Sequence, residues 1–251
     1  RIVIKVGSAL IIGNNSSLVN KKVISRIVLE IKKLHQLKKE VLLVSSGALA
    51  LGKKSLNIKV NNLKVTEKQA AASVGQVFLI NAWKKAFLSH EIKCGQILLT
   101  HLDAEIRSSS INARNTIESL IKYKTVPIIN ENDSVGTKEL RYGDNDQLAA
   151  RVAQITSADL LILLSDVDGL YTQNPKKNKS AKLIKYIKKI TKPIEKSCEN
   201  TSSAISVGGM TTKLKAAKIA LAAGCSMFIT KGDKIKPISS ILKEKKFTLF
   251  S

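Results

Sequence analysis

The sequence predicts an α/β fold, a three-layer α/β/α sandwich with a mainly parallel central sheet. Three observations carry this. Short apolar runs such as Val41-Leu42-Leu43-Val44 and Leu160-Leu161-Ile162-Leu163-Leu164 are nearly continuous, the pattern of strands covered on both faces. They alternate with longer segments of helical period, the order that builds parallel sheets. The chain has 251 residues, 44% of them hydrophobic, enough to bury a large core in a single domain over 1–251.

Residues 1–6 read as the first strand, followed by a loop with Gly7, Ser8, Gly13, Asn14 and Asn15. From Leu18 to Leu37, Val23, Ile24, Ile27, Val28 and Ile31 recur at helical spacing. Residues 41–44 are a strand that ends in Ser45-Ser46-Gly47-Ala48. Thr66 to His90 is a long helix, with Thr66 as its expected cap and Glu67 in its first turn, where a carboxylate complements the helix dipole. A strand at 96–99, a helix from Ile111 to Tyr123 and a strand at 126–129 follow, then a helix at 147–156 and a strand at 160–164. Residues 173–206, rich in Lys, Asn and Ser with one short helical patch, read as a protruding insertion. An Ala-rich helix from Thr211 to Ala223, a strand at 226–230, a short helix near 236–243 and a strand at 247–250 complete the chain. There is no internal repeat and no linker long enough to split it.

The net charge is +23, and six of the 42 basic residues are Arg, the rest Lys. Such a balance suits nucleic-acid binding or steering of anionic small molecules. The lysines are spread along the chain and aromatics are 4%. Nucleic-acid readers concentrate Arg, aromatic platforms or a dense patch. The charge therefore reads as a lysine-biased composition that steers anions as a by-product, with no specific nucleic-acid partner. No apolar run reaches the roughly 18 residues of a membrane span, and the sequence goes straight into a strand, with no signal peptide visible. Cys94, Cys198 and Cys225 have neither a disulfide-framework nor a metal-ligand spacing. These features predict a cytoplasmic protein without a membrane partner. His35, His90 and His101 are scattered and read as structural.

The chemistry concentrates between Pro127 and Ala150. The apolar run Val126–Ile129 turns into Asn130-Glu131-Asn132-Asp133-Ser134, and a second cluster, Gly143-Asp144-Asn145-Asp146, opens a helix. Each residue alone suits a turn or a helix cap. Together, seven carboxylate or carboxamide side chains in two clusters can face one pocket. Parallel sheets bind ligands just beyond the carboxyl ends of their strands. Phosphate loops of the types G-x-x-x-x-G-K-[ST] and G-x-G-x-x-G are absent. Glycines do mark the strand-to-helix junctions, at Gly7, Gly47 and Gly208-Gly209. Glycine admits close backbone approach, and N–H groups at a helix start bind anions. Two lysines stand out. Lys5 interrupts an apolar strand, and Lys213 opposes the dipole of the helix it begins unless an anion lies beside it. The plainer alternatives are a snorkelling Lys5 and a surface Lys213.

In this order, Ile4-Lys5-Val6-Gly7-Ser8, Val44-Ser45-Ser46-Gly47-Ala48, Asn130-Glu131-Asn132-Asp133, Gly143-Asp144-Asn145-Asp146, Leu164-Ser165-Asp166-Val167-Asp168-Gly169-Leu170-Tyr171 and Gly208-Gly209-Met210-Thr211-Thr212-Lys213 resemble the motifs of the amino acid kinase family. The resemblance covers essentially the whole chain. Its most specific part, the pair of clusters at 130–133 and 143–146, is similar to members that act on glutamate. The resemblance implies ATP-dependent phosphorylation of the γ-carboxylate of L-glutamate to γ-glutamyl 5-phosphate, the first step of proline biosynthesis, with Mg²⁺. It implies Lys5 and Lys213 on the transferring phosphoryl group and ATP, with Asp146 holding both lysines. Ser46, Gly47, Asp133 and Asn145 are implied for glutamate, with the Gly7 and Gly47 backbones at the reacting oxygens. The implied nucleotide site comprises Lys5, Gly7, Ser165, Asp166, Val207, Gly208, Gly209, Met210, Thr211, Thr212 and Lys213. Relatives usually carry Thr at Val207, so a backbone contact is what remains to be expected there. Feedback by proline and a homo-oligomer, dimer or tetramer, are further implications. The small RNA-binding-like PUA domain that many relatives append is not expected in a chain that stops at Ser251.

These residue types suit that chemistry. A carboxylate acceptor is already ionised at neutral pH, so no general base is needed. Phosphoryl transfer is mostly positioning and electrostatics, which lysines, backbone N–H groups and Mg²⁺ supply. Asp133 suits the α-ammonium of the acceptor. The alternatives are a family member acting on aspartate, acetylglutamate, carbamate or UMP, and a basic RNA-binding or regulatory protein on a kinase scaffold.

Overall fold

The computed structural model describes residues 1–13, 18–60, 62–136, 145–173, 175, 178, 180–199 and 209–251. In chain order the elements are β1 (Ile2–Val6), α1 (Ser8–Ile11), α2 (Lys21–Gln36), β2 (Val41–Ser45), α3 (Ala48–Ser55), α4 (Val65–Leu88), β3 (Lys93–Leu99), α5 (His101–Glu105), α6 (Arg107–Lys122) and β4 (Thr125–Glu131). They continue with α7 (Asn145–Ile155), β5 (Leu160–Ser165), β6 (Leu170–Tyr171), β7 (Leu183–Ile184), β8 (Tyr186–Ile187), α8 (Lys192–Glu199), α9 (Met210–Ala222), β9 (Ser226–Lys231), α10 (Ile241–Glu244) and β10 (Thr248–Phe250).

Eight strands form one sheet in the order β3-β4-β2-β1-β5-β9-β10-β8. The strands β3 to β9 of that order are mutually parallel, and β10 runs antiparallel to β9 with β8 parallel to it. The expected mainly parallel three-layer sandwich is what forms. Alternation along the strands divides the core in two. Val3, Leu42, Val44, Ile129, Leu161 and Leu163 pack with α7 and α9 on one face. Ile4, Val6, Leu43, Ile128, Ile162 and Leu164 pack with α2, α3 and α4 on the other. The chain proceeds from β1 to β2 on one side and reaches β5 on the other, so a crevice opens at the carboxyl end of β1.

The register explains Lys5. Its neighbours across the sheet are Val44 and Leu163, so it shares their face and lies under α7 and α9 rather than under α2. On the opposite face, α3 and α4 cross closely because two glycines allow it. A Cβ on Gly52 would lie 1.6 Å from the Ala71 carbonyl oxygen, and one on Gly75 would lie 1.8 Å from that of Ala48. Backbone cannot yield as a side chain can. Gly75→Ala is therefore expected to lower the unfolding free energy by about 3 kcal/mol, the upper part of the overpacking range, in urea melts. An unchanged midpoint would show that the two helices can separate freely.

Several local expectations are corrected. The α4 cap is Lys64, not Thr66: the Glu67 carboxylate accepts the Lys64 N–H at 2.6 Å, which starts the helix one residue before Thr66. The helix expected from Ile111 begins at Arg107, α1 occupies a stretch read as a loop, and α3 and α5 occupy stretches to which no element was assigned. In α5, Thr100 and Asp103 bond each other's backbone N–H reciprocally, a pattern the sequence carries in T-x-x-D. The segment at 173–206 is not simply a protrusion. It contributes β7, which pairs with β6, and β8, which closes the main sheet at its edge. There Ile187 is buried, and the Tyr186 ring meets Phe247 edge-on at 5.8 Å.

Candidate active site

The carboxyl ends of β1, β2, β4 and β5 converge with the starts of α7 and α9. Lys5 Nζ lies 2.5 Å from Asp146 Oδ1, and Lys213 Nζ lies 3.0 Å from Asp146 Oδ2. Lys5 and Lys213 are each 5% exposed and Asp146 is wholly buried. Asp146 stands in the first turn of α7, where the helix dipole favours a carboxylate. Lys213 stands in the first turn of α9, where the dipole alone disfavours an ammonium; the Asp146 carboxylate compensates. Two ammonium groups thus share the Asp146 carboxylate out of water. Positive charge held there is expensive unless anions lie close by.

A second set of contacts fixes the neighbouring amides. Asn145 Nδ2 donates to the Ser45 carbonyl at 3.1 Å and to Asn130 Oδ1 at 2.7 Å. Asn130 Nδ2 in turn donates to Gln76 Oε1 at 2.7 Å. Trp83 Nε1 donates to Ser45 Oγ at 2.8 Å, which ties α4 to the end of β2. The sequence singled out Asn145 but not Ser45, Gln76 or Trp83. Asn130 lay inside a quoted motif, whereas Gln76 sits in an Ala-rich helix with no local signal.

The remaining expected residues surround this centre. Gly47 precedes α3 at φ 118°, a conformation open to glycine, and the Ser46 N–H donates to the Val6 carbonyl at 3.1 Å. The Gly7 N–H is engaged with the Leu164 carbonyl at 3.0 Å, so what Gly7 offers is close approach rather than a free donor. Asp133 lies in the turn after β4. That turn is held by the Asn132 N–H on the Leu99 carbonyl at 2.9 Å and by Gln69 Nε2 on the Gly136 carbonyl at 3.0 Å. Asp133 lines a small pocket with Ala72, Ser73, Gln76, Leu98, Glu131 and Ser134. On the other side of β1, Ser165 is buried at the end of β5 and donates to Asp166 Oδ1 at 3.1 Å. Gly209 precedes α9, Met210 and Thr211 open it, and the Thr212 hydroxyl donates to the Gly209 carbonyl at 2.7 Å. Val207, Gly208, Gly143 and Asp144 lie outside the described residues.

Among the described residues no group of three His, Cys, Asp or Glu side chains could hold a metal ion. Among them also, no helix is long and apolar enough to cross a membrane. Cys94 and Cys225 do not suit nucleophilic work: burial pushes the Cys225 thiol up to about 11 and raises that of Cys94 as well.

A parallel α/β scaffold whose strand ends aim two buried lysines and two helix starts at one crevice defines an enzyme class that handles phosphate anions. The chain belongs to the amino acid kinase family, whose model, described as "Amino acid kinase family", matches residues 1–231. It is 49% identical over 249 residues to the glutamate 5-kinase of Pelagibacter ubique (strain HTCC1062), covering 99% of this chain and 67% of that protein. It is 50% identical over 250 residues to the glutamate 5-kinase of Brucella abortus (strain S19), covering 100% of this chain and 66% of that protein. The chain thus spans about two thirds of the length of these curated relatives. Among solved structures, UMP kinase from Ureaplasma parvum aligns with a TM-score of 0.68 at 20% identity, over 100% of this chain and 97% of that one. Carbamate kinase from Giardia lamblia bound to AMP-PNP aligns with a TM-score of 0.66 at 17% identity, over 99% and 96%. At such identities these two similarities concern the fold.

Proposed function

We propose that this chain transfers the γ-phosphoryl group of MgATP to the γ-carboxylate of L-glutamate, the reaction that opens proline biosynthesis. The observation that carries the reading is the buried Lys5–Asp146–Lys213 cluster, two ammonium groups held out of water on one shared carboxylate. The identity of about half to glutamate 5-kinases supports glutamate as acceptor. In this reading a γ-carboxylate oxygen attacks the γ-phosphorus, the bond to the ADP oxygen breaks, and ADP leaves with the electron pair. Lys5 and Lys213 stabilise the charge that redistributes over the transferring group. Asp146 keeps the two ammonium groups apart and aimed. Ser46, Gly47, Asp133 and Asn145 serve the acceptor. Ser165, Asp166, Gly209, Met210, Thr211 and Thr212 serve the nucleotide, joined on the motif alone by Val207 and Gly208. The magnesium ion belongs with the substrate: Asp146 is held by two lysines, and the phosphates of ATP supply the oxygen ligands this ion prefers.

The test is ADP release with each candidate acceptor. Glutamate should be turned over far better than aspartate, acetylglutamate, carbamate or UMP, and equal turnover of any of these would remove glutamate from the proposal. Asp133→Ala should raise the glutamate KM about tenfold or more and leave the ATP KM nearly unchanged, since losing a hydrogen bond to a charged group costs about 1.5–3 kcal/mol. Loss of ATP binding instead would move this turn to the nucleotide side.

The proposal extends to one cytoplasmic kinase domain, on the support of a single eight-stranded sheet that takes strands from both ends of the chain. It includes a homo-oligomer and feedback by proline. Exposed apolar residues support the oligomer: Val77 and Leu88 lie three turns apart on one face of α4, with Leu102, Ile106 and Ile111 exposed on and between α5 and α6.

A further inference from the structure

We infer that Gln76 reads the α-carboxylate of the acceptor and thereby selects an α-amino acid. The inference rests on the glutamate reading above and deepens it. It starts from one atom with no choice of role. The Ser45 carbonyl can only accept, so the Asn145 amide must turn its Nδ2 toward it. Asn145 Nδ2 also meets the Asn130 amide, which must therefore present its oxygen there. Asn130 then has its Nδ2 left for Gln76, which must answer with Oε1. The direction of all three amides follows from that carbonyl. The relay ends on Gln76, whose Oε1 is engaged and whose Nε2 donors remain for the pocket that it lines with Asp133.

A neutral N–H donor and a carboxylate on the wall of one small pocket match the two charged groups of an α-amino acid. Gln76 Nε2 donates to the α-carboxylate while Asp133 accepts from the α-ammonium. At the other end of the relay both donors engaged by Asn145 are on Nδ2, and its Oδ1 accepts no hydrogen bond among the described residues. Gln76 is thus the specificity-determining partner of Asp133, on a helix that Gly75 and Trp83 hold against the end of β2.

The informative variant is Gln76→Glu, because a carboxylate oxygen still accepts from Asn130 Nδ2 and keeps the relay intact while the pocket loses its donors. The measurement is kcat/KM for L-glutamate and for its α-carboxamide, which keeps the γ-carboxylate but is neutral at the α-carboxyl position. Gln76→Glu should lower kcat/KM for glutamate at least about tenfold, chiefly through KM. The α-carboxamide, able to donate to the new carboxylate, should hold or gain. The preference for glutamate thus falls by more than tenfold, with the ATP KM and melting temperature near wild type. Gln76→Ala gives the same direction of change in the preference, and serves if the Glu variant folds poorly. A glutamate-to-carboxamide preference within twofold of wild type in either folded variant overturns the assignment of Gln76 alone. Absence of glutamate turnover by the wild-type protein overturns the proposed function, and this inference with it.

Discussion

Lys5→Ala and Lys213→Ala are each expected to lower kcat by about 10²–10³-fold, or about 3–4 kcal/mol, with smaller changes in either KM. The two residues come from opposite ends of the chain and meet on one carboxylate. The β1 register puts Lys5 on the α7 and α9 face, and the start of α9 brings Lys213 in from above. Neither is needed there for hydrophobic packing. Their charge counts most when negative charge shifts onto the transferring group, so the loss belongs in the chemical step. The fold should survive either single change, because Asp146 keeps one of its two buried lysine partners. Lys213→Arg should not restore the rate, since a planar guanidinium cannot replace a compact ammonium on the same carboxylate oxygen. Steady-state kinetics with thermal melts decide it: a folded Ala variant with near wild-type kcat removes that lysine from the mechanism.

Asp146→Asn is expected to have the largest effect on stability. The substitution keeps the shape and removes the negative charge that both buried ammonium groups contact. Stranding buried charge in this way costs about 3–5 kcal/mol. Urea unfolding without ligand should show that loss, and kcat should fall by at least as much as for either lysine, since both lose their anchor. ATP should raise the melting temperature of Asp146→Asn more than that of wild type, because its phosphates supply the missing negative charge. A variant as stable as wild type without ligand would mean that the Asp146 carboxylate is not what compensates the two buried lysines.

Much of this was readable from residues alone, and the reasons are physical. Buried parallel strands are apolar on both faces, so Val41–Val44 and Leu160–Leu164 announced themselves, and Lys5 stood out because it broke such a run. Lys213 was conspicuous against its helix dipole, and it was the family resemblance rather than any local pattern that implied Asp146 as the carboxylate beside it. The short helices α1, α3 and α5 escaped because four to eight residues give too little periodicity to see. The edge strand β8 was hidden by the lysines around it, as charged residues on edge strands commonly are. Gln76 and Trp83 were invisible because their roles depend on α4 crossing the end of β2, and that crossing depends on Gly52 and Gly75 touching backbone. Val207, Gly208, Gly143 and Asp144 carry motif resemblance only.

The most direct test of glutamate phosphorylation at this site is trapping by hydroxylamine. An acyl phosphate made from glutamate reacts with hydroxylamine to give the γ-hydroxamate, whereas transfer to water or to another acceptor gives none. The protein is incubated with MgATP, L-glutamate and hydroxylamine, and ADP and hydroxamate are measured together. The expected result is γ-glutamyl hydroxamate in step with ADP, little product from aspartate, and loss of both in Lys5→Ala. ADP without hydroxamate, or aspartyl hydroxamate formed as readily as the glutamyl product, would contradict it.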